Sequence, residues 1–517
     1  MKLKAFKNEP LFDFSKPRVA KKMQQAIDLV RSALGKEYPI TIGNQKFHTE
    51  DKLRSYNPAH RAQIVGIFQK GTRELAARTV EVAHQAFGEW SALPSEKRAQ
   101  YLLKVAALMR KRRMELAAWM VFEVGKSWEE ADADVAEAID FAEFYAREML
   151  RLAGPQPLVK VSSERNELRY IPLGVGAVIP PWNFPLAIMA GMTFASIVAG
   201  NTIVLKPSSD APAIAAQLME IFRAVKVPSG VVNFITGSGG TIGDTLVAHP
   251  KVRYIAFTGS KAVGLHINEL ASKVQTGQIW IKRVIAEMGG KDSIIVNSDA
   301  DLDRAAQGVV VSAFGYQGQK CSACSRAIVV EKVYDKFLNR LLKKTSELRM
   351  GAPDQRGVNF GPVINDQAMH KILQYIDKGK SEGRLLIGGN VHQEQGFFVE
   401  PTVIADVAPG ATVAQDEIFG PVLAVIKAKD FDDALRIANN TEYGLTGAVY
   451  TKSKKKIQRA KRQFHVGNLY FNRKCTGALV GVHPFGGFNM SGTDSKAGGK
   501  DYLLLFTQAK VMSEKVK

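Results

Sequence analysis

This sequence predicts an α/β fold, a doubly wound parallel sheet joined to a second α/β unit, on three observations. From Gly174, short apolar runs alternate with helical stretches, a rhythm that builds parallel sheets with helices on both faces. After the run "VIAEMGGK" the alternation resumes, from about Asp292 to Leu479. Finally, 517 residues exceed what one hydrophobic core organises, so two or three domains are expected.

Upstream of the sheet, Ser95 to Leu150 reads as helical text, with apolar residues at helical spacing and few breakers. "GVGAVIP", "TIVLKP", "VVNFIT" and "YIAFTG" then read as buried strands, with helices near 186–199, 211–225, 241–248 and 261–272 between or after them. No charge occurs between Arg169 and Lys206, and Leu186–Leu205 is long enough to suggest a bilayer span. Pro180, Pro181 and Pro185 precede it, however, and Gly200-Asn201 splits it. A buried helix of roughly fifteen residues followed by a short strand fits better, so no membrane span is expected.

Apolar residues at 46% and charged residues at 23% exclude a disordered or fibrous chain. Three cysteines cannot form a disulfide framework, and "MKLKAFKNEPLFDF" lacks the apolar core of a secretory signal; a cytoplasmic location is expected. The net charge of +20 raises the question of a polyanionic partner. Neither "MRKRRM" nor "KSKKK" carries interleaved aromatics, and Arg110, Lys111, Arg112 and Arg113 fan around one helix instead of forming a stripe. No nucleic-acid partner is expected; the charge reads as a solvated surface that attracts acidic substrates or nucleotides.

Chemistry concentrates in a few loops. "FGYQGQKCSACSR" sets Cys321 three residues before Cys324. Zinc needs further ligands, and Cys475 without a histidine pair does not supply them, so no metal is expected. Residue types alone leave a redox pair, inert thiols and a catalytic nucleophile open. "IPPWNFP" puts Asn183 at a strand end, where it is either a turn former or an oxyanion donor. Glu287 in "VIAEMGGKD" is a strand-end carboxylate, either solvated or a general base. "ITGSGGTIGD" is not the usual dinucleotide fingerprint, since its last spacing is one residue too long. It is still a glycine-rich strand–helix junction suited to anions, as is "FTGS".

Taken together, "PWNF", "LKPS", "GSGGTIG", "FTGS", "EMGGKD", "GQKCS" and "EIFGP" occur in the order seen in the aldehyde dehydrogenase superfamily, which the chain resembles over roughly residues 40 to 510. "EADADVAEAIDF", "FHVGNLYFNRKCTGALVG" and "HPFGGFNMSGTDSKAGGKDYL" make it similar to one branch, the 1-pyrroline-5-carboxylate (L-glutamate γ-semialdehyde) dehydrogenases.

The resemblance implies NAD(P)-dependent oxidation of L-glutamate γ-semialdehyde to glutamate, the second step of proline degradation; the alternative is a dehydrogenase of another small semialdehyde. A non-catalytic scaffold on the same fold is disfavoured by the joint presence of Cys321, Glu287 and Asn183. Cys321 is implied as nucleophile, Asn183 as oxyanion donor and Glu287 as the base that activates water. The same resemblance assigns Pro181, Trp182, Lys206, Ser208, Ser209, Gly239, Gly243, Ser260, Glu417 and Phe419 to the cofactor. It assigns Glu137 to the substrate ammonium, Ser322, Gly477 and Ala478 to its carboxylate, and Phe184 and Phe485 to its aliphatic chain. Many NAD-specific relatives carry a glutamate at the position of Ser209; without it NAD is expected with NADP tolerated. Pro180 and Lys474 depart from the branch, where serine and asparagine are expected. The implied architecture is a Rossmann-type cofactor domain (1–154 and 172–288), a catalytic domain (289–490) and a small β oligomerisation element (155–171 and 491–517). In that element "LVKVSSERNELRY" alternates as a strand pair, and a homo-oligomer is implied.

Overall fold

The computed structural model describes residues 3–392 and 396–516. Its first seven-stranded sheet carries five parallel strands in the spatial order Arg283–Glu287, Val252–Thr258, Val175–Ile179, Thr202–Leu205 and Val232–Phe234. The antiparallel pair Ile40–Ile42 and Gln45–Phe47 extends it. Chain order reverses between Val175–Ile179 and Val252–Thr258. The sheet is therefore doubly wound, and its crevice opens beyond the carboxyl ends of those two strands. Val175, Ala177 and Ile179 enter one apolar cluster and Val178 another. Burial on both faces is why these runs show no polar alternation.

The second sheet runs Arg384–Ile387, Thr402–Ala405, Val422–Ala428, Cys324–Val330, Asp292–Val296, Thr446–Tyr450 and Asn468–Phe471. It is parallel except for its edge strand Arg384–Ile387. Ile294 and Val296 face one core and Ile295 the other. The link Met288–Lys291 ties the last residue of one sheet's edge strand, Glu287, to the start of the other sheet's strand Asp292–Val296.

The uncharged stretch forms the buried helix Ala187–Val198 and the strand Thr202–Leu205. Among the described residues no helix is long and apolar enough to cross a membrane. The helical text resolves into three helices, Ser95–Lys111, Arg113–Val124 and Trp128–Ala153. Gly125 ends the second at φ 67°, a left-handed position suited to glycine. Ser127 starts the third by accepting the Glu130 N–H at 3.4 Å. Three bases of the basic run pair with acids of the same chain. Arg110 pairs with Glu9 and Glu143 at 2.9 and 2.8 Å, Arg112 with Glu115 at 2.5 Å, and the buried Arg113 with Asp132 at 2.6 Å.

The strand pair differs from the expected hairpin. Only Glu164–Pro172 is a strand there, and its antiparallel partner is Thr507–Lys515 at the far end of the chain. A hairpin closed on Ser162-Ser163 lacks the glycine or asparagine of tight turns, whereas the distant strand offers a nine-residue register. The tail after Ser491 also divides, because residues 491–495 pack on Ala286–Met288 rather than on this strand pair.

Candidate active site

Cys321 immediately precedes the central strand Cys324–Val330. The turn that delivers it holds Tyr316, Gln317 and Gly318 at φ 52°, 55° and 67°. Such conformations persist where the surroundings enforce them. Here the Tyr316 hydroxyl donates to the Val124 carbonyl at 2.8 Å. A Cβ at Gly318 would lie 2.4 Å from the Gly420 carbonyl oxygen, so only glycine fits.

Two cavities meet at this cysteine. A long cleft of about 1110 Å³ runs along the switch point of the first sheet, and a chamber of about 120 Å³ lies behind it. Cys321, Thr258 and Met288 line both. Cys324 and Cys475 line neither and are buried.

All ten residues assigned to a cofactor from the sequence line the cleft, together with Asn183 and Pro180. Lys206 is buried and donates to the Pro207 carbonyl at 3.2 Å, and burial lowers its ammonium to about 8. The Ser208 hydroxyl accepts the Asp210 N–H at 3.3 Å, Ser209 reaches the Gly237 carbonyl at 3.5 Å, and Ser260 caps the helix Lys261–Ser272. At the cysteine end the Glu417 carboxylate accepts the Gly290 N–H at 3.1 Å. A Cβ at Gly289 would collide with that carboxylate at 2.1 Å, which explains the first glycine of "EMGGK". Phe419 sits at φ 58° with its ring edge-on to Trp182, 5.5 Å between centroids. Asn183 donates from Nδ2 to the Gln319 carbonyl at 3.0 Å, two residues before Cys321. Its amide has a second N–H to offer.

The chamber is lined by Glu137, Phe184, Glu287, Ser322, Gly477, Ala478 and Phe485. Gly477 takes φ 75°, and Lys474 stands beside it, Nζ 3.3 Å from where a Gly477 Cβ would project. Glu287 accepts the Ser495 hydroxyl at 2.5 Å and the backbone N–H groups of Gly487 and Ser495 at 3.3 Å each.

Burial dominates the electrostatics. It raises Glu287 to about 7 against those hydrogen bonds. It raises Glu137 to about 8, helped by the charge of Asp134 and opposed by Lys126. Burial, then the carboxylates of Asp292, Glu417 and Glu287, push the Cys321 thiol well above its ordinary value. The resting sulfur is therefore a thiol, with a carboxylate that titrates near neutrality in the same chamber.

Several neighbours escaped the sequence reading. Lys126 and Asp134 form a fully buried ion pair at 2.6 Å, and Lys126 Nζ lies 3.9 Å from the Phe184 ring centroid. Asp134 stands three residues before Glu137 on the same helix; a second acid on that stripe was the available signal. Lys320, next to the cysteine, pairs with Glu130 at 2.6 Å. Asp210 accepts from Asn365 across the cleft at 3.0 Å, a contact with no sequence signature.

The Cys321 thiol thus sits where a long cleft beside the doubly wound sheet meets a small acid-walled chamber. The sequence profile of the aldehyde dehydrogenase family matches residues 46–512, and the chain belongs to that family. Within it, the chain is 55% identical to a 1-pyrroline-5-carboxylate dehydrogenase of Geobacillus thermodenitrificans over 509 residues, 98% of this chain and 99% of that one. A Bacillus cytotoxicus protein of the same name is 54% identical over 510 residues, 99% of each chain. The crystal structure of 1-pyrroline-5-carboxylate dehydrogenase from Thermus with bound NAD superposes with a TM-score of 0.98 at 49% identity, covering 100% of both chains.

Proposed function

We propose that this protein oxidises L-glutamate γ-semialdehyde, the open form of 1-pyrroline-5-carboxylate, to L-glutamate with NAD(P), the second step of proline degradation. The observation that carries this reading is Cys321 at the one place where the cleft and the acid-walled chamber meet. The relatives' name and the NAD in the Thermus structure support the same substrate and cofactor.

The cleft suits a dinucleotide. Lys206 presents a buried ammonium to it, and an added Cβ at Gly239 or Gly240 would meet nothing within 4 Å, leaving bare backbone for phosphates. Lys206 would hold the adenosine ribose, the glycine turn and Ser260 the pyrophosphate, and Glu417 and Phe419 the nicotinamide end. When bound there, NAD(P) supplies the acceptor for the aldehyde's hydride.

The chain's own groups do the rest. The Cys321 thiol gives up its proton to solvent as its sulfur adds to the aldehyde carbon, forming a thiohemiacetal whose oxyanion the Asn183 amide and the Cys321 N–H hold. Oxidation leaves a thioester on Cys321. Glu287 then takes a proton from water as that water attacks the thioester carbonyl, and glutamate departs. Ser322 and the N–H groups of Gly477 and Ala478 receive the α-carboxylate, Glu137 the ammonium, and Phe184 and Phe485 flank the methylenes.

The same reading divides the chain into a cofactor domain (1–154 and 172–288), a catalytic domain (289–490) and an oligomerisation element built on the strand pair. It places a homo-oligomer in the cytoplasm. The long antiparallel pair Glu164–Pro172 and Thr507–Lys515, with mostly exposed side chains, supports its role in assembly.

The deciding test is NADH formation by absorbance with 1-pyrroline-5-carboxylate beside simple aliphatic aldehydes. A strong preference for the former is expected; turnover of plain aldehydes alone would discard the substrate. Glu137→Gln is expected to raise KM for the semialdehyde by about 10- to 100-fold, the worth of a charge-assisted hydrogen bond, with little change for propanal. Equal losses on both substrates would take the ammonium away from Glu137. Turnover with NADP is expected, and Ser209→Glu should reduce it by at least about tenfold relative to NAD by repelling the 2′-phosphate. An unchanged cofactor ratio would move the 2′-phosphate elsewhere.

A further inference from the structure

The loop 486–496 is shaped around one side chain, the Glu287 carboxylate. It runs beside the end of the strand Arg283–Glu287. Met288 N–H donates to the Ser491 carbonyl at 2.8 Å, Thr493 N–H to the Ala286 carbonyl at 2.9 Å, and Ala286 N–H to the Thr493 hydroxyl at 3.0 Å. Beyond that anchor, Asp494 and Lys496 both take left-handed φ, 56° and 45°. Two such residues flanking Ser495 aim its hydroxyl and its N–H at the same Glu287 oxygen, 2.5 and 3.3 Å away. Left-handed backbone at residues other than glycine is retained where something enforces it, most often at functional sites. Gly486 and Gly492 complete the fit: a Cβ on either would lie 2.9 or 3.1 Å from the Glu287 carboxyl group.

We propose that Ser495 is a positioning residue for the reaction, its hydroxyl and N–H fixing the Glu287 carboxylate at the chamber wall as an ionised acceptor. The inference rests on Glu287 being the base that activates water. The titratable and charged groups that face Glu287 are Lys496 from this loop, Tyr502 from the segment after it and Cys321 across the chamber. Lys496 is itself tied down, donating to the carbonyls of Gly467 and Gly486 at 2.8 and 2.6 Å. It supplies attraction to Glu287 without being one of its hydrogen-bond donors. That leaves Ser495 as the side chain whose removal changes the balance. Its hydroxyl is the strongest influence favouring the charged form, while burial opposes it. Loss of the hydroxyl therefore raises the pH at which Glu287 becomes a base.

The test uses the intact enzyme in single turnover. Cys321 is acylated with 1-pyrroline-5-carboxylate and NAD, and decay of the acyl-enzyme is followed by rapid quench and intact-mass spectrometry from pH 6 to 9.5. This readout does not depend on which step limits kcat. In the wild type, decay should fall away below about pH 7. Ser495→Ala should move that limb up by about one pH unit. Decay at pH 6 then drops about tenfold, while decay at pH 9 stays within about twofold. Ser495→Thr, which keeps the hydroxyl, should restore the wild-type limb, and Ser495→Cys, a weaker donor, should fall between. A limb that stays in place in Ser495→Ala and Ser495→Cys overturns the proposal. So does a uniform loss at every pH that threonine fails to rescue, since that marks a loop disturbed as a whole. Glu287→Gln separates the two ideas. If its acyl-enzyme decays at the wild-type rate, the base assignment falls; if decay stops while Ser495→Ala shows no shift, only the role of Ser495 falls.

Discussion

Cys321→Ala is expected to reduce NAD-dependent oxidation of every aldehyde by about 10⁴-fold or more, because no covalent intermediate can form. The fold leaves no substitute: Cys324 and Cys475 are buried and line neither cavity. Measured by NADH absorbance, residual turnover within tenfold of wild type would displace the nucleophile from this position. Glu287→Gln should fail differently, giving one burst of NADH and then stalling at the thioester. With Glu287 intact, activity depends on its ionised form and is expected to be lost as pH falls below about 7. The thiol depends on pH in the same direction: raised by burial and by Asp292, Glu417 and Glu287, it is protonated at rest and slow toward alkylating agents at neutral pH.

The parts of this site that could be read from the sequence are those held by contiguous residues. Strand–helix alternation gave the first sheet, because buried parallel strands are apolar on both faces, as the division of Val178 from Ala177 between two cores shows. The loops "PWNF", "EMGGK" and "GQKCS" were visible because their chemistry sits inside single turns at strand ends. What could not be read is pairing between distant segments. Nothing in "LVKVSSERNELRY" says that its partner strand lies more than 300 residues away at Thr507–Lys515. Nothing around Glu287 says that Ser495 will donate to it. Asp210 and Asn365 are each ordinary turn residues until the fold sets them across one cleft. The text from Ser95 to Leu150 read as helical without its internal ends, and the structure breaks it at Gly125, a glycine at φ 67° that closes one of its three helices.

Lys126→Met is expected to carry the largest cost in stability of any single change considered. Lys126 and Asp134 are fully buried 2.6 Å apart, and Asp134 also accepts the Ala187 N–H at 2.6 Å at the start of a core helix. Removing the lysine strands a charge in the interior, which costs about 3–5 kcal/mol. The midpoint of denaturant unfolding should fall, and Lys126→Met combined with Asp134→Asn should recover much of the loss, since asparagine can still accept from Ala187. Sign and pH agree. Asp134 is already raised by burial despite Lys126, and without the lysine it is raised further. A carboxyl whose folded-state pKa lies above its unfolded value penalises folding as pH rises between the two, so the deficit should be larger at pH 8 than at pH 5. A deficit that does not depend on pH would mean that lost contact with the rings of Phe184 and Tyr316, whose centroids lie 3.9 and 4.8 Å from Lys126 Nζ, sets the cost instead of the stranded charge. The chamber feels the same change, because Lys126, ahead of Lys320, opposes protonation of Glu137. Its loss leaves Glu137 neutral over a wider range. KM for the amino-aldehyde should then rise while plain aldehydes are spared, joining a fold-stabilising ion pair to substrate choice through one buried carboxylate.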